Sequence, residues 1–480
     1  MPDPVIVVFR NDLRLEDHDP FTDAAKSKSP VIPLYVFSER DYPIGGASRW
    51  WLHRSLMAHK ARLQALGLPL VIRVAEAYGS WEEAVATMAQ DAGASCVYWH
   101  RGFDPDLKRQ DAALIARLSA KAVKYQTYAG ALLWDPDAIA NQSGGPYKVF
   151  TPFYRACLKQ PAPRPPKGVP RGIVAPKDTL LSLKLNDLPL CRKVSWAAGI
   201  DAAWEPGEDG ANKALKLFCK VGLKSYVKSR DFPAEDQGVS RLSPHLHFGE
   251  ISPRKIWHAI EAAGSRQAAT PFLRQLVWRE FAYYSLVHFP TMVEKSLRPE
   301  FGRFPWRDAT VADAGPEVEA WRRGRTGIPI VDAGMRELWH TGWMHNRVRM
   351  IVGSLLVKNL RVHWLEGARW FWDTLVDADL ANNFMGWQWV AGTGFDAAPY
   401  FRIFNPVSQA QRFDPDGTYI RRWVPEIQSL PLPYLFSPWT ADEATLERCQ
   451  LVLGRHYPRP IVDLAASRAD ALAAYKRLRL

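Results

Sequence analysis

Between Val5 and Thr127 five short apolar runs alternate with stretches of helical periodicity, and few folds satisfy that alternation. Val5–Phe9, Val31–Val36, Leu70–Val74, Cys96–Trp99 and Val123–Thr127 read as strands. Trp50–Leu66, Trp81–Ala92 and Leu107–Leu118 carry apolar side chains near every third or fourth position and read as helices. Strands joined by helices predict a parallel, Rossmann-like sheet covered by helices, an α/β domain over residues 1–132. In such a sheet a ligand lies beyond the carboxyl ends of the strands.

The pattern stops near residue 133. The segment 133–205 holds Pro136, Pro146, Pro152, Pro161, Pro163, Pro165, Pro166, Pro170 and Pro176, and reads as a long linker wrapping the surface. Residues 206–480 read as helical. Phe272, Leu273, Leu276, Val277, Phe281 and Tyr284 recur at helical spacing, as do Met344, Val348, Ile351, Val352 and Leu355. The expected plan is an α/β domain, a long linker and an all-α domain, and 480 residues suffice for it.

Composition narrows the function. No apolar run approaches the ~18–20 residues of a membrane helix. The start, Met1–Pro4, has no basic leader, so a cytoplasmic location is expected, on the nucleoid in a bacterium. Five scattered cysteines form no CxxC, which argues against structural zinc. His245 and His247 lack a third ligand at suitable spacing; hydrogen-bonded histidines are expected there, and no metal. Sixty-two basic against 50 acidic residues leave +12, which suits a polyanionic partner or an anionic cofactor. Phosphate-loop, zincin and serine-hydrolase motifs are absent. There are 20 tryptophans, 11 of them between Trp278 and Trp423. Tryptophan packs helices, stacks on flat rings and carries electrons.

Several segments bear chemistry. Gly238–Pro244 places small hydroxyl residues before a helical run, which suits an N-cap or a phosphate contact. Gln275 and Trp278 share a helix face, and so do Asn346 and Met350. Arg322, Arg323 and Arg325 suit phosphate. Asp377 and Asp379 precede Trp387 and Trp389, which suits a polar cofactor; a metal pair is the other reading.

Asp377–Trp389, Ala397–Pro406, Gly342–Met350, Gly238–Ser243, Trp278–Phe281 and Phe9–Arg14 resemble, in order, the signature blocks of the photolyase/cryptochrome family. The resemblance runs from Val5 to about Ile427. It implies a helical domain that holds FAD. Tyr226, Val239, Ser240, Arg241, Leu242 and Ser243 match positions at the phosphates and ribityl chain. Phe272 matches the pocket lining; Asp377 and Asp379 match the cofactor's polar edge, with Arg349 paired to Asp377. Asn383 matches the position facing flavin N5, where plant cryptochromes carry an aspartic acid. An amide supplies no proton near neutral pH, which favours the reduced anion FADH⁻.

The resemblance further implies UV-damaged DNA as partner and a monomeric enzyme. Trp278 and Trp389 match the aromatic walls of a pocket for a flipped-out dimer. Gln275, Asn346, Arg347 and Met350 match its other contacts, and Arg230, Arg402 and Gln409 match DNA-facing positions. The implied activity is light-driven repair of cyclobutane pyrimidine dimers by electron transfer from photoexcited FADH⁻, that of deoxyribodipyrimidine photolyase, a carbon–carbon lyase. Eukaryotic (6-4) photolyases place two histidines where this chain has Asn346 and Met350. A cryptochrome-like photoreceptor is opposed by Asn383 and by the lack of a long extension after Leu480.

Three positions depart from the family pattern. Gln275 replaces the glutamate of many dimer enzymes. Trp387 and Trp364 match two members of the photoreduction chain, but the distal position holds Val311; Trp306, Trp321, Trp343, Trp370 and Trp372 are candidate replacements. Asp106-Leu107 stands where one subgroup contacts a folate antenna. A deazaflavin, a flavin, a differently bound folate or no antenna stay open, with the turn before Ala47–Trp51 as the expected crevice.

Overall fold

The computed structural model describes residues 2–40, 43–177, 180–190, 195–310 and 314–478. The N-terminal part runs β1 (Val5–Phe9), α1 (Asp19–Lys26), β2 (Val31–Phe37), α2 (Gly46–Ala65), β3 (Val71–Val74), α3 (Trp81–Asp91), β4 (Cys96–His100), α4 (Pro105–Ala120) and β5 (Lys124–Tyr128). The five strands form one parallel sheet in the order β3-β2-β1-β4-β5. The α/β expectation holds, with α1 added.

Position in the sheet explains each strand's composition. The central strand β1, Val-Ile-Val-Val-Phe, is buried throughout, as a strand covered on both faces must be. Edge strand β5, Lys-Tyr-Gln-Thr-Tyr, has no fully buried residue. Pro33 lies within β2, but β3 pairs only from Leu34 onward, so the missing N–H breaks no bond to β3.

The chain forms two compact units whose limits differ from residues 133 and 206. The first contains 1–224, 240–290 and 376–381; the second contains 225–239, 291–375 and 382–480. The proline-rich segment belongs to the first unit and includes α5 (Phe150–Cys157). Also in this unit are α6 (Pro253–Ala263) and α7 (Arg266–His288).

Buried charge ties these pieces to the sheet. Arg14 donates to the carbonyls of Gly249 (2.9 Å) and Gly130 (3.3 Å). Arg254 bonds Asp17 (2.9 Å) and Asp19 (3.1 Å), so α6 docks on the turn after β1. Burial raises the Asp17 carboxyl, but Arg254 and Ser252 outweigh it and hold it below the ordinary range.

Asp12, His18 and His100 also meet in the interior. The Phe21 N–H donates to His18 Nδ1 (3.1 Å), so His18 carries its proton on Nε2 and donates it to Asp12 Oδ2 (2.9 Å). His100 Nδ1 reaches the same oxygen at 2.7 Å. With that tautomer the His18 nitrogen facing Asp12 offers no lone pair to a metal, and the trio acts as a hydrogen-bonded bridge between the end of β4 and the turn after β1.

The second unit is helical: α8 (Pro329–Thr341), α9 (Asn346–Ser354), α10 (Trp364–Thr374), most of α11 (Leu380–Ala391) and α12 (Pro406–Phe413). Lys358 is fully buried in a π-turn after α9. Its ammonium donates to the carbonyls of Ala391 (2.9 Å) and Tyr400 (3.0 Å), capping the end of α11. The only cause of its depressed pKa is burial. Among the described residues no helix is long and apolar enough to cross a membrane.

Candidate flavin and DNA sites

The residues matched to flavin divide between the units. Ser240–Ser243, Phe272, Asp377 and Asp379 lie in the first; Tyr226, Val239, Arg349 and Asn383 lie in the second.

In the first unit, Arg241 takes a left-handed conformation (φ 53°) in the loop before a short helix, and its guanidinium stacks over Trp204 at 4.2 Å. The Ser240 hydroxyl accepts the Leu242 N–H. Phe272 is buried against Phe218. Asp379 accepts from the Tyr283 hydroxyl at 2.5 Å and faces His247 at 3.4 Å. Burial pushes this carboxyl up, but His247, Arg279 and Tyr283 prevail and keep it well below the usual range. Asp379 is therefore an anionic acceptor. His245 meets Glu250, so both histidines of the His-Leu-His run face carboxylates.

In the second unit, Asn383 donates from Nδ2 to the Ala368 carbonyl of α10 at 3.0 Å. That bond fixes the orientation of the amide, with Oδ1 and the second N–H on its other edges. Arg349 donates to the Met344 carbonyl at 2.7 Å. Tyr226 is buried, with the Arg230 guanidinium 5.5 Å over its ring.

Trp387 packs its ring onto α10 at Gly367, where a Cβ would sit 2.0 Å from the indole. Its ring neighbours are Phe371 at 4.9 Å and Trp321 at 6.2 Å. Trp364 is buried, donates to the Ser296 hydroxyl and contacts Phe384 edge-on. Val311 lies outside the described residues. Trp321 is thus the one replacement candidate with a ring contact to Trp387 among the described residues.

The residues matched to the lesion also divide. Gln275 and Trp278 stand on α7, half-buried. Trp278 stacks flat on Phe150 of α5, centroids 3.6 Å apart and planes 6° apart. Phe150 carried no signal in the sequence beyond its apolar type, because its partner comes from a distant segment. In the second unit, Asn346 opens α9 and is exposed, Met350 is half-buried one turn later, and Trp389 is half-buried on α11. His345 caps α9 through Nδ1, which accepts the Arg347 N–H. Burial pushes its pKa down to about 4, so it is neutral at physiological pH.

Arg347, Arg402 and Gln409 do come together. With Arg412, Asp231, Phe404 and Phe413 they line an open cleft of about 220 Å³ within the second unit. Arg347 pairs with Asp231 (2.9 Å) and stacks over Phe413 (4.2 Å). Three arginines against one carboxylate give the cleft a positive field suited to phosphate. Arg412, which the motif match omits, lies one helical turn from Gln409 on α12.

A second crevice, of about 60 Å³, opens beyond the ends of β1 and β4. Its lining includes Arg10, His100, Phe103, Asp104, Tyr283 and Asp379 and none of Pro43–Gly46; Asp41 and Tyr42, in the turn before Ala47, lie outside the described residues. Burial raises the Asp104 carboxyl there to about 6.

Comparison with known proteins agrees with this geometry. Residues 5–171 match the model for DNA photolyase, and residues 272–477 match that for the FAD binding domain of DNA photolyase. A deoxyribodipyrimidine photo-lyase from Agrobacterium fabrum is 44% identical over 98% of this chain and 97% of its own. Cryptochrome-1 of Arabidopsis thaliana is 36% identical over 97% of this chain and 69% of its own. The crystal structure of a bacterial class III photolyase from Agrobacterium tumefaciens superposes with a TM-score of 0.95, at 43% identity, covering all of this chain and 98% of that one. An archaeal photolyase from Sulfolobus tokodaii, solved with two FAD molecules, superposes at 0.82 with 28% identity over 99% of this chain and all of that one. With its parallel sheet, its helical part and both family segments in place, the chain belongs to the photolyase/cryptochrome family.

Proposed function

We propose that this protein repairs cyclobutane pyrimidine dimers in DNA under blue light, with FAD as its cofactor. The observation that carries the reading is the fixed amide of Asn383. With one Nδ2 hydrogen held by Ala368, Asn383 has its acceptor oxygen to offer and no acidic proton to give. That fits a reduced flavin, whose N5 carries hydrogen. The anionic Asp379 fits the N–H and hydroxyl donors of the flavin edge and ribityl chain. Ser240–Ser243 and Tyr226 would serve the phosphate end, and Arg349 would pair with Asp377. Reduced FAD, when bound, would lend an electron that opens the cyclobutane ring and then returns, so the reaction carries no net redox change.

The chain's other residues then bind and orient the lesion. Trp278, held from behind by Phe150, presents one ring face to a flipped base, and Trp389 is the second wall. Gln275 hydrogen-bonds a pyrimidine edge. Arg347, Arg402 and Gln409, which line the cleft, hold the strand by its phosphates, and Arg230 matches a further DNA-facing position. Asn346 and Met350 provide no proton, and the neighbouring His345 is buried, neutral and engaged as a helix cap. General-acid chemistry of the (6-4) type therefore lacks a donor on α9. Trp387 is the entry for photoreduction, with Trp364 or Trp321 next.

Blue-light treatment of two duplexes, one with a thymine cyclobutane dimer and one with a (6-4) photoproduct, tests the reading. Loss of the dimer alone is expected. Repair of the (6-4) lesion alone would assign specificity to Gln275 instead, and repair of neither by FAD-loaded protein would favour a photoreceptor.

A further inference from the structure

From Ala138 to Lys177 the chain contains no acidic residue and seven basic ones: Lys148, Arg155, Lys159, Arg164, Lys167, Arg171 and Lys177. Two of them are used inside the fold, since Arg164 and Lys167 both pair with Asp19. Lys148 also has a partner inside the fold, its ammonium lying 5.8 Å from the centre of the Phe289 ring; Arg155 and Lys159 need a different account.

α5 sits in the middle of this segment and is two-faced. Phe150, Phe153 and Cys157 are buried; Phe150 stacks on Trp278, and Phe153 packs on Phe281 and Tyr284 of α7. Thr151, Arg155 and, just past the helix end, Lys159 recur every four residues on the other side, and all three are exposed. Arg274 of α7 is also exposed, and its guanidinium lies 5.2 Å over Phe150 and 5.3 Å over Tyr154. Glu280, the single acid of α7, is buried. A basic face therefore adjoins the edge of the Phe150–Trp278 stack, with no exposed carboxylate on either helix to neutralise it.

We infer that this face, Arg155, Lys159 and Arg274, is a second phosphate-binding surface that holds DNA flanking the lesion. The inference rests on Trp278 receiving the damaged base. Phosphates repeat along each strand every ~3.4 Å, so a strand leaving the Trp278 wall meets cations within a few nucleotides. Such contacts carry no sequence or damage information: they add affinity equally to damaged and intact duplex.

The test is equilibrium binding of the FAD-loaded protein to long duplexes, with and without a single thymine dimer, over a range of salt. The Arg155→Ala/Lys159→Ala variant should lower the slope of log K against log salt by about 2 on both duplexes. Its affinity should fall several-fold at moderate salt, with the ratio of damaged to intact binding kept. On a short duplex ending near the dimer the variant should match wild type. The control is Arg171→Ala/Lys177→Ala. It alters the same segment near Val174, which bridges Pro30 just before β2, and should leave every slope unchanged. An unchanged slope for the α5 variant, or an equal loss in the control, overturns the inference. Wild-type protein with no preference for the dimer would instead overturn the repair reading, while the slope on intact DNA would still decide the role of α5.

Discussion

At the scale of single residues, Asn383 and Trp278 make the sharpest predictions. Replacing Asn383 by Asp introduces a group able to carry a proton where the amide cannot. Blue-light dimer repair should fall steeply while the bound flavin absorbance stays at the wild-type level; undiminished repair would remove Asn383 from its assigned place. Trp278→Ala should weaken binding of dimer-containing DNA by about 1–3 kcal/mol, the usual worth of one base on an aromatic ring. Gel-shift titration with FAD content as the control measures it. The motif blocks were legible because they are contiguous: Asn383, Trp387 and Trp389 share one helix. Phe150 was not, since nothing in Phe-Thr-Pro-Phe marks which ring will lie on Trp278. The orientation of the Asn383 amide was equally hidden, because it depends on a carbonyl of another helix.

At the scale of elements, α7 illustrates how packing creates a titration the sequence does not announce. Glu280 is buried and accepts the backbone N–H groups of Leu133 (2.8 Å) and Trp134 (3.4 Å), pinning the start of the proline-rich segment. Burial raises its pKa to about 7, against the lowering pull of Arg279 and those two N–H groups. The folded chain thus holds a proton that the unfolded chain releases near pH 4.5. Stability from this group is full below that value and declines as pH rises toward 7. Glu280→Gln should flatten the pH dependence of Tm across this window, by an amount on the order of 3 kcal/mol. Scanning calorimetry at several pH values measures it; parallel curves for variant and wild type would deny the linkage. Strand positions were read from sequence to within two residues, because each is a bounded apolar run. Helix α1, Asp-Pro-Phe-Thr-Asp-Ala-Ala-Lys, was missed: eight residues give barely two turns of periodicity. Its start is signalled instead by the His18 cap and Pro20.

At the scale of the whole molecule, the surplus of +12 finds two outlets, the cleft of Arg347, Arg402 and Arg412 and the basic face of α5. Arg347→Ala should reduce the salt slope of DNA binding by about 1, and should do so on damaged and intact duplex alike. A change confined to damaged DNA would make Arg347 a lesion reader instead. The α/β and helical halves were visible in the switch of hydrophobic period. The compact units were not, since residues 240–290 pack with the N-terminal sheet through Arg14, Asp17 and Arg254. Such pairings join charges far apart in the chain, and no local pattern encodes them.

The flat contact between Phe150 and Trp278 also bears on the thermodynamics of recognition. An unsupported tryptophan samples several rotamers and must be immobilised when a base arrives, at about 0.5–1.5 kcal/mol. Here the indole is already restrained by a buried ring, and its ordering belongs to folding. Calorimetric titration with dimer-containing DNA should show a smaller entropic penalty for wild type than for Phe150→Leu, a difference between two proteins that share every side chain assigned to the proposed lesion pocket.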